Sequence, residues 1–366
     1  MRIYLISSLM ALSSAPALAG GIERNPQSMA ILFQQGTYLE LGASYARPRV
    51  TGTLPDVLGG TGTGNVSNSF LSGSISFKSD INDQLSYAII LDQPFGADTL
   101  YPSGSALAGS LGKVENTTLT GVLRYRLDNN FSAFAGVRSS WTKGTAEISV
   151  APVLAYALET QRDQAWGYLA GIAYEVPEIA LRAALTYNSS IKHTFTTTET
   201  LNGVVSNQPF SSRLPQSVNL EFQTGVAEDT LVFGSIRWVN WKQFDITPPA
   251  YAASPNPLEE NAPRGALVEY QKNSITYTLG VGRQFTQEWA GSVSIAHDTG
   301  NGNPTSNLGP TGKRTTLGVG VSYTIDNVTI SGGLQYARIG SARTTLGSEF
   351  NNNSAIGAGI RIGYRF

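Results

Sequence analysis

Apolar residues alternate one by one with small or polar ones through much of this chain. At the C-terminus, Ile356, Ala358, Ile360, Ile362, Tyr364 and Phe366 share one face, and Gly357, Gly359, Arg361, Gly363 and Arg365 share the other. Leu317, Val319, Val321, Tyr323 and Ile325 oppose Gly318, Gly320, Ser322 and Thr324 in the same way, as do Leu119, Gly121, Leu123, Tyr125 and Leu127 against Thr120, Val122, Arg124 and Arg126. A period of two is the signature of β-strands with chemically distinct faces. It predicts strands near 37–51, 69–78, 85–96, 116–127, 131–147, 165–175, 179–197, 217–227, 231–245, 270–285, 288–298, 314–325, 328–339 and 355–366. Their connections alternate between tight turns, such as Asp326-Asn327, and long polar or Gly-rich loops.

A soluble sandwich also alternates, but its outward face is rich in Lys, Glu and Asp. Here the polar face is Gly, Ser, Thr and Arg, and aromatics such as Phe131, Trp141, Trp166, Tyr174, Phe285 and Trp289 cluster near strand ends. An apolar outer face with aromatic girdles and a polar lumen is the pattern of a membrane barrel. The expected fold class is therefore all-β, a transmembrane antiparallel β-barrel of about fourteen strands in the cell outer membrane. Long loops on one rim and tight turns on the other, with an even strand count, put both termini in the periplasm. Phe366, closing an alternating strand, looks like the terminal aromatic signal read by the barrel-assembly machinery.

Composition narrows the chemistry. A net charge of -1 argues against a nucleic-acid partner, which would want a basic face. The absence of Cys and the presence of only two His leave no credible metal cluster. Arg2, the apolar run Ile3 to Leu12 and the Ala17-Leu18-Ala19 site read as a secretory signal peptide over residues 1–19. No cofactor is expected, nor an enzyme. His297 and Asp298 are adjacent and so point to opposite faces of a strand, and His193 has no defined partner in the sequence. Gly309 to Lys313 lacks the first Gly and the Ser/Thr of a phosphate loop and reads as a turn.

Three sets of residues could carry transport. In the third strand, Gln93, Pro94, Phe95 and Gly96 either interrupt pairing with a neighbour or merely end the strand at the rim. Leu100, Tyr101, Leu107 and Leu111, with Val153, Leu154, Tyr156 and Leu158, make two loops too apolar to be freely solvated. Such loops form a ligand site or pack on each other as a cap. Lumen-facing Arg124, Arg126, Arg138, Arg237 and Arg361 brace the interior through ion pairs, or one of them meets a ligand carboxylate. A general porin would instead need an acidic constriction loop facing an arginine ladder, and no such loop is evident.

Arg24-Asn25-Pro26 ahead of the first strand resembles the FadL/TodX family of outer-membrane transporters for long-chain fatty acids and aromatic hydrocarbons. So do the hairpin from Leu214-Pro215 through Trp238-Val239-Asn240-Trp241-Lys242-Gln243-Phe244, and Tyr277 to Gly280 leading to Trp289. The resemblance implies an N-terminal hatch, here the short segment 20–36 containing Asn25 and Pro26, ahead of a barrel over 37–366. It further implies an apolar site between external loops and a lateral opening at Gln93, Pro94, Phe95 and Gly96. The partners implied are a long-chain fatty acid or another hydrophobic small molecule, and outer-membrane lipid; the alternative is a general or aromatic-hydrocarbon diffusion porin. The hatch is shorter than the family's, so the lumen is expected to be more open.

Overall fold

A computed structural model describes residues 21–26, 28–150, 154–256 and 262–366. The predicted signal peptide, Gln27 and Val153 lie outside the described residues. Fourteen antiparallel strands among these residues close into a barrel: β1 (Tyr38–Arg49), β2 (Phe70–Asp80), β3 (Leu85–Asp92), β4 (Leu111–Arg126), β5 (Phe131–Val150), β6 (Asp163–Val176), β7 (Leu181–Asn188), β8 (Ser217–Ala227), β9 (Thr230–Val239), β10 (Ser274–Gln284), β11 (Trp289–Asp298), β12 (Arg314–Ile325), β13 (Val328–Ile339) and β14 (Asn353–Arg365). Each pairs with its neighbour in sequence, and closure comes from β1 against β14, with Tyr38 opposite Arg365 and Arg49 opposite Ser354.

The period-two faces sort as the alternation requires. On β14, Ile356, Ile360, Ile362 and Tyr364 are exposed, as are Leu317, Val319 and Val321 on β12 and Leu119, Leu123 and Tyr125 on β4. The small face of the same strands points inward, where Arg124, Thr118 and Thr120 are buried. In water this arrangement would be inside out, so lipid is the solvent that the outer wall fits. One rim carries tight turns whose left-handed residues are Asn130, Ala180, Asp229 and Asp326. Asn and Asp tolerate that conformation best among residues with a side chain. Close strand approach needs Gly363, because the Tyr38 ring lies over it where a Cβ would sit.

Several expected boundaries move. The segment 179–197 is not one strand: β7 ends at Asn188, and Ile191–Phe195 pairs instead with Phe210–Leu214 in a separate two-stranded sheet. The segment 231–245 stops at Val239 and turns through Trp241–Gln243, and 85–96 stops at Asp92. The apolar stretch Leu154–Thr160 is not a loose loop; it pairs back on β5, from Val150 opposite Leu154 to Thr145 opposite Glu159, and with Thr197–Leu201. In each case tertiary pairing overrides local periodicity, which reports only which face of a segment is apolar. Glu199, fully buried, ties this cap together by accepting hydrogen bonds from Tyr156 Oη at 3.0 Å and from the amides of Ala250 and Tyr251 at 3.1 and 3.0 Å.

Short as it is, the N-terminal segment fills the lower lumen. Ala30–Phe33 forms a 3-10 turn, and Met29 and Leu32 are fully buried against Ile90, Val122, Phe134 and Leu169. The Phe33 ring lies under two guanidinium groups, those of Arg124 at 4.4 Å and Arg182 at 4.6 Å.

Candidate functional site

The wall is incomplete between β2 and β3. Their ladder ends at Ile75 opposite Leu91, although Phe70 to Ser74 keep their partners on β1. Beyond Asp92 the chain turns inward and pairs with the hatch: Pro94 O accepts from the amides of Arg24 at 2.8 Å and Asn25 at 3.2 Å, and Gly96 N donates to Ile22 O at 2.8 Å. Pro94 has no N–H to offer β2, so the departure leaves no buried donor unmet at that residue. The chain then rejoins β4 at Gly96 opposite Glu115; three residues, Gln93 to Phe95, stand against two, Asn116 and Thr117, which makes a bulge. Higher up, Asn68 N on Asp98 O at 3.0 Å and Leu100 N on Val66 O at 2.9 Å close the wall again.

Side chains alone span the gap. Gln93 Oε1 accepts from Gly73 N at 3.3 Å, and the Arg24 guanidinium stacks 4.3 Å from the Phe70 ring. Gly96 leaves room for Arg24, since a Cβ there would come within 2.6 Å of Arg24 Cζ and displace the guanidinium.

Behind the gap lies a cavity of about 140 Å³, with Ile22 in its floor and Phe195, Phe210, Phe244, Leu267 and Leu308 among its apolar lining. Trp241, fully buried, packs edge-on against Phe95 and Phe244 and supports this floor from the Trp-x-x-Trp-x-x-Phe stretch. Above it an outer groove of about 400 Å³ is lined by Tyr101, Leu107, Leu154, Tyr251 and Leu346. Leu267 and Leu308 line both spaces and form the neck between them. Thr99 Oγ1 donates to Leu308 O at 2.9 Å and Tyr101 Oη to Asn307 O at 2.8 Å, which moors the neck loop to the continuation of β3.

Of the apolar loop residues singled out in the sequence, Tyr101, Leu107 and Leu154 line the groove and Leu158 the inner cavity. Tyr156 is buried in the cap, while Leu100 and Leu111 pair with each other and line neither space. The lumen arginines pair internally. Arg124 binds Glu175 and donates to Leu32 O, Arg126 sits 2.9 Å from Asp80, Arg237 grips Glu23 at 2.5 and 3.2 Å, and Arg361 lies 3.6 Å from Glu40. Arg138 is buried within electrostatic reach of Asp92. Sequence reasoning missed Arg264, the one charged residue among those described as lining the groove. Its guanidinium lies 5.7 Å from the Tyr251 ring, and its Nε is buried without a hydrogen-bond partner. Nothing local marks it, because an arginine in a long polar loop carries no periodic signal.

His193, expected to lack a partner, has three. Its Nδ1 is 2.8 Å from Asp163 Oδ2, and its Nε2 is 3.2 Å from Thr142 Oγ1 and 3.3 Å from Ser140 Oγ. An N–H donated to the carboxylate with Nε2 accepting from the hydroxyls suits the neutral ring. Burial pushes its pKa below the ordinary imidazole value, opposed by Asp163. Unfolded chain takes up this proton near pH ~6.5 while the folded chain resists it, so the contribution to stability is full above that pH and is lost as pH falls below it. Thermal unfolding in detergent is expected to be flat from pH 8 to 7 and to weaken toward pH 5, and His193→Gln should flatten the acid limb. An unchanged acid limb in that variant would assign the slope to other groups.

A sequence profile for the family described as outer membrane protein transport protein (OMPP1/FadL/TodX) matches residues 10–355. Among solved structures the chain is similar to a Pseudomonas aeruginosa FadL homologue, with a TM-score of 0.76 at 17% identity over 97% of this chain and 98% of that one. It is also similar to the P. putida toluene transporter TodX, with a TM-score of 0.67 at 14% identity over 92% of each chain. The Ralstonia pickettii toluene transporter TbuX follows, with a TM-score of 0.62 at 14% identity over 96% and 97%. At such identities the likeness is one of fold. A search of curated protein sequences finds no match.

Proposed function

Because the chain belongs to the outer-membrane transport protein family OMPP1/FadL/TodX, we propose that it carries hydrophobic molecules, long-chain fatty acids foremost, from its external loops sideways into the membrane. On this reading the long-loop rim faces outward and both termini lie in the periplasm. Ligand enters the groove beside Tyr101, Leu107 and Leu154, passes the Leu267/Leu308 neck, rests in the inner cavity and leaves through the gap at Gln93, Pro94, Phe95 and Gly96 once Arg24 swings aside. Largely apolar walls let the ligand exchange one dry contact for another, and the N-terminal segment packs beneath the cavity.

Arg264 carries the choice of fatty acid. A guanidinium held beside Tyr251 that keeps one buried N–H unmet in a largely apolar groove suits an amphiphile whose head is a carboxylate, because its planar fork matches that group. A neutral hydrocarbon leaves that hydrogen bond unmade. The aromatic lining of the inner cavity by Phe195, Phe210 and Phe244 favours the second reading, a channel for monoaromatic hydrocarbons.

The two separate in one experiment. Arg264→Ala is expected to weaken oleate binding to the purified barrel by about tenfold to a hundredfold, the worth of a charge-assisted hydrogen bond, while toluene binding stays unchanged. Equal oleate affinity in both proteins would refute the fatty-acid reading. Planar-bilayer recordings should show little steady conductance; a large ohmic conductance would identify a general porin instead.

A further inference from the structure

The outer wall formed by β12, β13, β14 and β1 carries a row of cations that no carboxylate among the described residues neutralises. Arg49 and Arg338 flank Ser354 in register, and the row continues through Thr315 to His297, whose Nδ1 is 3.0 Å from Thr315 Oγ1. Arg47 stands on the same face of β1 and Lys313 just ahead of β12, and Arg47, Arg49, Lys313 and Arg338 are all exposed. Among the described residues none of the four has a carboxylate partner. The four strands contain a single acid, Glu40, which is spent on Arg361. On β4 and β5, by contrast, Lys113 and Lys143 both hold Glu115, at 2.9 and 3.0 Å.

The row sits where the apolar belt ends at the long-loop rim. Directly beneath it are Leu317, Tyr336 and Ile356, in register with one another, and Tyr45, each of them about half exposed. Acyl chains can lie on that belt while the guanidinium groups reach up to an anionic head, as long basic side chains do at a membrane surface.

We propose that this wall binds a phosphorylated glycolipid of the lipid A type, its phosphates held by Arg47, Arg49 and Arg338 and its acyl chains by the belt of Tyr45, Leu317, Tyr336 and Ile356. Arginine suits phosphate because its fork donates two parallel hydrogen bonds to one oxyanion. The proposal rests on the outward orientation of the long-loop rim, since the outer leaflet is where such lipid resides.

The test uses full-length mature barrel, stripped of lipid in non-ionic detergent and titrated with bisphosphorylated lipid A by native mass spectrometry. Wild type should bind, and Arg47→Ala/Arg49→Ala/Arg338→Ala should bind at least about tenfold more weakly. The matching triple substitution to Lys should retain part of the affinity, and Lys143→Ala should be unaffected. The proposal is overturned if the triple Ala variant keeps wild-type affinity, or if dephosphorylated lipid A binds equally well. It is also overturned if inorganic phosphate at equal concentration displaces the lipid, or if the wall instead holds a second barrel. Orientation is read separately. The chain has no cysteine, so a maleimide added to intact cells labels only Val57→Cys, at the exposed tip of the first long loop. Labelling supports the outward rim, whereas labelling only after lysis overturns the orientation together with this proposal. Labelled cells whose protein binds lipid A without regard to phosphate overturn the lipid site alone.

Discussion

Replacing Pro94 with valine is expected to lower fatty-acid uptake by about tenfold, equivalent to ~1.4 kcal/mol on the exit step, while leaving binding to the inner cavity intact. The gap exists because β3 leaves β2 after Leu91 and gives its next backbone groups to the hatch. Valine restores an N–H and prefers the extended conformation of a strand, so the ladder can propagate past Ile75 toward the unpartnered edge of Phe70 to Ser74. Each ladder bond regained contributes about 1 kcal/mol. Two such bonds are comparable to the stacking of Arg24 on Phe70, worth roughly 0.5–2 kcal/mol. Uptake of labelled oleate by cells, normalised to surface expression, measures the effect. Wild-type uptake at equal expression would show that ligand leaves by another route, and lost binding by the purified variant would mean the cavity itself had collapsed.

Leu308→Trp is expected to be as severe at the other end of the path. Leu308 and Leu267 are shared by groove and cavity, and a Cβ built on Gly112 already comes within 3.1 Å of Leu308, so the neck has no slack. Overfilling such a site costs about 1–3 kcal/mol if the side chain stays in the neck, and the indole then blocks passage. The loop should hold its course, because its ties are the Leu308 carbonyl to Thr99 and the Leu308 amide to Ser306 Oγ at 3.1 Å, neither of which uses the side chain. The outer groove should still bind oleate through Arg264 while uptake falls more than about tenfold. A fluorescent fatty acid that reaches the cavity of the variant at the wild-type rate would argue against the neck as the passage.

These effects were unequally visible in the chain. All fourteen strands were readable, as were the facing of β4, β12 and β14 and the tight turns at Asn130, Asp229 and Asp326. Alternation and left-handed turn residues are local, and lipid outside the barrel leaves the pattern no second interpretation. The break at Pro94 was also visible, though only as a strand that either ends or bends. The choice between the two rests on Arg24, Asn25 and Ile22, which lie about 70 residues away and lend the turned backbone its partners.

Function at the level of residues was written less plainly. Arg264 and Leu267 come from one loop, His193 and Leu308 from two others, and none carries a motif. His193 even appeared partnerless, because Asp163 and Ser140 reach it only when the chain beyond β7 folds over β5 and β6. The sequence by itself determined the barrel, its strand count and its lipid-facing wall, since a period of two and a turn need only near neighbours. Only the tertiary structure decided where the wall opens, which arginine lines the groove and where the outer cations lack a carboxylate among the described residues. Pairing and desolvation of charge depend on groups that are distant along the chain and meet only in the closed barrel.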